Sequence, residues 1–225
     1  MTDILDLTKK LELNLAKAQI FDIPKMDTKL AVDKSGSMSD EFACGWVDKT
    51  IDLFIAAALK FDDNGRLEMG FFNTSFESTP DGVKDNAGGY TRAYGIRADG
   101  GTCYSPAIQA LANKPSVVSQ AKGFLGKLFG GKEEAAPVKP AYIGFITDGD
   151  PQDFLEFERS LDQMDKRNYV QLIAIGNQVN VGRLGRAAER PNVGLIHISN
   201  PHKITDDQFY ELMCNDELKA WIASL

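Results

Sequence analysis

The chain is poor in the residues that metal-thiolate, disulfide and histidine chemistry need. It has two histidines, His197 and His202, and three cysteines, Cys44, Cys103 and Cys214. An odd count, wide spacing and no CxxC or Cys/His cluster argue against a zinc site or a disulfide framework. A thiol mechanism at Cys103 needs a base, and neither histidine stands in a pairing motif. Free thiols fit a reducing compartment. Basic charge is also short: 25 Lys and Arg against 32 Asp and Glu give a net charge of -7. An acidic chain repels phosphate backbones, so no nucleic-acid partner is expected. No apolar run approaches the ~20 residues that cross a bilayer. The first residues, MTDILDLTKKLELNL, lack a basic region followed by an apolar one and do not read as a secretory leader. The expected location is cytoplasmic. Gly176, Gly182 and Gly185 lack the spacing of a dinucleotide fingerprint, and no acid follows at its place.

What is present is a core. Hydrophobic residues make up 43% of 225 positions, which suits one domain. Short apolar runs alternate with longer amphipathic ones, the pattern of an α/β fold: a three-layer, doubly wound, mainly parallel sheet with helices on both faces. Strands are expected at 29–33, 66–73, 141–147, 169–175 and 193–198. Helices are expected at about 4–19, 40–60, 104–112, 152–166, 182–189 and within 205–224. Residues 74–101 have room for a short antiparallel edge strand and a short helix. The expected organisation is a single domain over 1–225, with an N-terminal helical extension at about 1–27. A flexible surface insertion is expected at about 115–140, where KPSVVSQAKGFLGKLFGGKEEAAPVKP is long for a connector.

Three loops carry oxygen ligands. Lys29–Asp33 reads as a buried strand ending in a carboxylate, and ligands of open α/β sheets bind beyond such strand ends. Ser35 and Ser37 follow at spacings of two in a turn that Gly36 permits. One carboxylate and two hydroxyls are hard ligands suited to Mg2+, although a serine-rich turn also serves as a helix N-cap. Gly100-Gly101-Thr102 places a third hydroxyl before a helix. Thr147-Asp148-Gly149 places a second carboxylate after a strongly apolar strand. Parallel strands would bring all three loops to one edge. Asp99 and Asp150 lie close by and read as solvated loop acids.

Asp33, Ser35, Ser37, Thr102 and Asp148 together resemble the von Willebrand factor A superfamily with its metal-ion-dependent adhesion site, a DxSxS…T…D pattern. The resemblance covers about residues 28–200. It implies that Ser35 and Ser37 bind a cation directly, and that Thr102 does so directly or through water. Asp33 and Asp148 would act mostly through water, with Asp148 direct when no ligand is present. One position stays open for water or for an Asp or Glu of a protein partner. The cation expected is Mg2+, with Mn2+ or Ca2+ as alternatives. The stretch LTKKLELNLAKAQI before the first strand looks like that of bacterial intracellular members associated with tellurium resistance and stress response.

Two functions follow. One is a non-enzymatic, cation-dependent protein-binding module without turnover. The alternative is a metal-assisted phosphohydrolase using Asp33. That enzyme needs a second carboxylate and a phosphate-anchoring Lys or Arg, for which Lys34 is the neighbour in sequence.

Overall fold

The computed structural model describes residues 3–112 and 139–225. Except for residues 139 and 140, the insertion expected at 115–140 lies outside them. Six strands form one sheet: β1 (Asp27–Asp33), β2 (Leu67–Phe72), β3 (Phe76–Ser78), β4 (Ala141–Thr147), β5 (Asn168–Ile175) and β6 (Val193–Ile198). Their order is β3-β2-β1-β4-β5-β6. All neighbours are parallel except β3, a short antiparallel edge on β2. The chain winds outward from β1 on one side and from β4 on the other, so the crevice beyond their C-terminal ends is the switch point where such sheets bind ligands.

The two-residue alternation of the strands sorts side chains into two cores. Leu30, Val32, Tyr142, Ile146, Tyr169 and Ile173 face one side. There they meet α1 (Ile4–Lys17), α3 (Trp46–Phe61), α8 (Asp206–Met213) and α9 (Asp216–Ala223). Ala31, Ile143, Phe145, Val170, Leu172 and Ala174 face the other, against α5 (Ser105–Ala112), α6 (Phe154–Gln163) and α7 (Val181–Ala187). β4 and β5 are buried throughout, as strands covered on both faces must be. α3 presses closest at Gly144, where a Cβ would lie 2.3 Å from the Phe54 ring. α1 is capped by Asp3, whose Oδ1 accepts from Leu5 N at 3.0 Å. Its buried Ile4, Leu7, Leu11 and Leu15 lie over α3 and α8. Lys10 and Lys49 both pair with Asp206 at 3.0 Å.

The helix expected over 40–60 is two helices. α2 (Ser39–Ala43) stops at Cys44, Gly45 takes the left-handed φ of 79°, and α3 begins at Trp46. Glycine is the residue that adopts this conformation at little cost. Cys44, at this joint, is exposed, whereas Cys214 is buried. α6 ends at Gln163, short of the expected 166, because Met164 is extended. The short helix expected within 74–101 is α4 (Tyr90–Ala93). Among the described residues, no helix is long and apolar enough to cross a membrane.

Candidate metal centre

Asp33 closes β1 one register step beyond the Val32–Ile146 pair, which sets its carboxylate beside Thr147 at the end of β4. It is fully buried. Oδ1 accepts from Ser35 N at 2.7 Å, and Oδ2 accepts from Thr147 Oγ1 at 2.7 Å. Ser35 precedes a 3-10 turn, Gly36–Met38, but its side chain makes no cap bond. Instead its Oγ lies 3.1 Å from Ser37 Oγ, and Ser37 Oγ donates to Asp148 Oδ1 at 2.7 Å. The N-cap role that a serine-rich turn also allows is therefore not the one Ser35 takes. Asp33, Ser35, Ser37 and Asp148 follow one another along the switch-point crevice, the first step tied by the Ser35 backbone N–H and the other two by serine hydroxyls.

Thr102 reaches the same place through backbone. Gly36 N donates to Gly100 O at 3.1 Å, and Gln152 N donates to Thr102 O at 2.9 Å. The loop 100–102 is thus pinned between the serine turn and the loop after Asp148. Thr102 is buried, and no described residue hydrogen-bonds its hydroxyl. Gly100 has φ 76°, and a Cβ there would sit 3.1 Å from Asn73 Nδ2. Asn73 fastens the loop from the other side: Nδ2 donates to Asp99 Oδ1 at 2.9 Å, and its carbonyl accepts from Cys103 N at 2.7 Å.

Burial without a positive partner dominates the electrostatics. Among the described residues no Lys or Arg pairs with Asp33 or Asp148. Desolvation pushes the Asp33 carboxyl up to about 6, against the lowering pull of its hydrogen bonds to Ser35 and Thr147, with Asp148 adding repulsion. Desolvation also raises Asp148; the Ser37 hydroxyl counters it and nearby Glu41 adds to it. Two carboxylates held in a water-poor crevice without a counter-charge, joined by hydroxyls, form a hard-oxygen donor set. That set matches a small divalent cation. Among the described residues no group of three or more His, Cys, Asp or Glu is placed to hold a metal, so any cation here relies on the hydroxyls.

Several supporting residues carry no signal in the sequence. Tyr104 Oη lies 3.0 Å from Thr147 Oγ1 and donates to Gly149 O. Burial raises its pKa, so it stays a neutral donor. Asp153 accepts from Tyr104 N at 2.8 Å and Ser105 N at 2.9 Å, fixing the start of α5 from the far side of the site. Asp150 is a clamp: it accepts from Asn180 N at 2.9 Å and pairs with Arg183 at 3.6 Å. Asp99 serves Asn73, as above. Lys34 turns away to Glu77, at 2.9 Å. Desolvation raises the Cys103 thiol, a poor setting for a nucleophile. His202 Nδ1 stands 3.3 Å from Cys44 Sγ, not near Cys103.

A family model described as the vWA found in the TerF C terminus matches residues 25–225. YcbR of Bacillus subtilis (strain 168) is 25% identical over 232 residues, 97% of this chain and 86% of that protein. Among solved structures, a von Willebrand factor type A protein from Catenulispora acidiphila superposes with a TM-score of 0.58 at 15% identity. That match covers 87% of this chain and 43% of the other. The SpRpn10 VWA domain gives 0.55 at 13% identity, covering 82% and 93%. Proximal thread matrix protein 1 of the mussel byssus, with a zinc-occupied MIDAS motif, gives 0.51 at 13%, covering 87% and 48%. The chain therefore spans under half the length of the Catenulispora and mussel proteins. These structural likenesses bear on the fold.

Proposed function

The chain belongs to the vWA-TerF-like family, and from that premise we propose that it is a non-enzymatic, divalent-cation-dependent protein-binding module. Asp33, Ser35, Ser37, Thr102 and Asp148 would hold one cation, with Mg2+ favoured by the all-oxygen set and Mn2+ or Ca2+ as alternatives. Bound there, the cation supplies an electrophilic position for an Asp or Glu oxygen of a partner protein. The protein's part is to hold the donors still. Thr147 and Ser35 N fix the Asp33 carboxylate, Ser37 orients Asp148, and Asn73 holds the Thr102 loop. The observation that carries this reading is the pair of buried, uncompensated carboxylates with two serine hydroxyls between them, Ser37 on Asp148 and Ser35 on Ser37, while the Ser35 N–H holds Asp33. The relation to TerF supports a place in a tellurium- or stress-resistance system. The free thiols support a cytoplasmic site of action. We take the chain to act as one domain over 1–225, with an N-terminal helical extension at about 1–27.

The phosphohydrolase alternative has less support. Asp33 is fully buried with both oxygens engaged, and Lys34 points to Glu77. An assay with p-nitrophenyl phosphate and Mg2+ separates the two functions. The module hydrolyses nothing, yet binds an immobilised glutamate-containing peptide in Mg2+ and releases it in EDTA. Turnover that disappears in Asp33→Asn would overturn the proposal.

A further inference from the structure

Beside the metal centre a cavity of about 550 Å3 opens between α2, the start of α3 and the segment 91–98. Its walls include Phe42, Cys44, Asp48, Arg92, Ile96 and Arg97. Chain continuity puts it next to the site. Ser39, on one wall, lies two residues after Ser37 and anchors its Oγ on Gly36 O at 2.7 Å. Arg97, on the other, lies two residues before Asp99. Asp99 N donates to Lys34 O at 2.6 Å, and the next carbonyl, of Gly100, accepts from Gly36 N.

The charge of this cavity runs against that of the chain. Arg66, Arg167, Arg183 and Arg190 each close an ion pair. Arg92 and Arg97 are exposed and close none among the described residues; Arg159 and Arg186 also close none, but only Arg92 and Arg97 share one cavity wall, in a protein with net charge -7. The acid on the wall, Asp48, is already engaged. It accepts from Thr91 N at 2.7 Å and Thr91 Oγ1 at 2.9 Å, which fastens the arginine-bearing segment to α3. Half-buried Phe42 and Ile96 give the floor an apolar lining for methylene groups. Guanidinium groups are matched to carboxylates, which they can hold with two parallel hydrogen bonds.

We propose that this cavity is a second anchor, at which Arg92 and Arg97 take a further acidic side chain of the same partner segment. The partner of the module is then an acidic stretch of polypeptide rather than a single exposed carboxylate. This rests on the metal-directed reading above and deepens it. Once one carboxylate is held at the cation, the second meets the arginines at high effective concentration, so two modest contacts combine.

The test uses the full chain and two labelled Gly/Ser peptides of equal length, one with a single central Glu and one with five consecutive Glu, read by fluorescence anisotropy in Mg2+ and in EDTA. The five-Glu peptide is expected to bind about tenfold tighter in Mg2+, a difference of ~1.4 kcal/mol. Arg92→Gln/Arg97→Gln removes that gap and leaves the single-Glu peptide unchanged. Cys44 provides a second readout on the cavity wall: the five-Glu peptide slows its alkylation by iodoacetamide, and the single-Glu peptide does not. A gap that persists in the double variant, or unchanged Cys44 alkylation, overturns the second anchor while Mg2+ dependence sustains the metal-directed reading. Arginine-dependent binding that is equal in Mg2+ and EDTA has the opposite meaning, keeping the anchor and sinking the cation's role. Tighter binding of a single-stranded oligonucleotide of equal charge would also overturn the proposal.

Discussion

Replacing Asp33 with Asn should make the cation-free protein more stable while abolishing its response to Mg2+. Asp33 is fully buried, and its carboxyl is displaced from 3.8 to about 6, chiefly by desolvation. At ~1.4 kcal/mol per pH unit, holding it ionised at neutral pH costs on the order of 3 kcal/mol of folding stability. The sign follows from proton linkage. The folded state binds the proton more tightly than the unfolded chain, so this contribution favours folding at low pH. It is lost as pH rises from about 4 through about 6. Asparagine is nearly the same shape and cannot ionise. Its carbonyl keeps the bond from Ser35 N, and its amide donates to Thr147 Oγ1 once that hydroxyl turns toward Gly149 O, 3.4 Å away. Allowing ~1 kcal/mol for this rearrangement, the variant gains about 2 kcal/mol near pH 7.5 in EDTA. At ~2–4 °C per kcal/mol for a chain of this size, that is a Tm rise of about 4–8 °C. The gain narrows below pH 6 and closes near pH 4. Millimolar Mg2+ should raise the wild-type Tm and leave that of the variant unmoved. Thermal unfolding followed by circular dichroism reads all four conditions. A variant less stable than wild type in EDTA at neutral pH would refute the burial penalty on which the site argument rests.

Other expectations follow from the same geometry. Mg2+ affinity should fall about tenfold per pH unit below roughly 6, because the cation must displace the Asp33 proton; titrations at three pH values measure the slope, and a flat profile contradicts it. Thr147→Val removes the hydroxyl that orders Asp33 and meets Tyr104. It should cost about 1 kcal/mol in denaturant unfolding and weaken Mg2+ binding. Gly144→Ala puts a methyl group 2.3 Å from the Phe54 ring; overpacking should cost ~1–3 kcal/mol with Mg2+ affinity unchanged, since the substitution lies mid-strand, away from the crevice.

The strands were legible because β1, β4 and β5 are buried on both faces and carry apolar stretches, Leu30–Val32, Ala141–Ile146 and Leu172–Ile175, with few polar interruptions. The run at 141–147 coincides with β4 to the residue. The break at Gly45 was not legible, because Phe42, Trp46 and Val47 continue an apolar pattern straight across it. Only the left-handed backbone at Gly45 marks the joint. Asp33 and Asp148 stood out as carboxylates ending apolar strands. The roles of Tyr104, Asn73 and Asp153 depend on which loops meet in space, which single-chain spacing does not encode. Asp150 shows the same limit from the other side. It reads as a solvated loop acid, yet the approach of the 180–183 turn makes it a clamp.

In the proposed function, Asp33, Ser35, Ser37, Thr102 and Asp148 hold one divalent cation. Calorimetric titration of metal-free protein with Mg2+, beside the Ser35→Ala/Ser37→Ala variant, tests it most directly. Saturable one-site binding is expected in the wild type, with that binding absent in a variant whose circular dichroism is unchanged. No heat of binding in the wild type, with or without the five-Glu peptide, or undiminished binding in the variant, would contradict it.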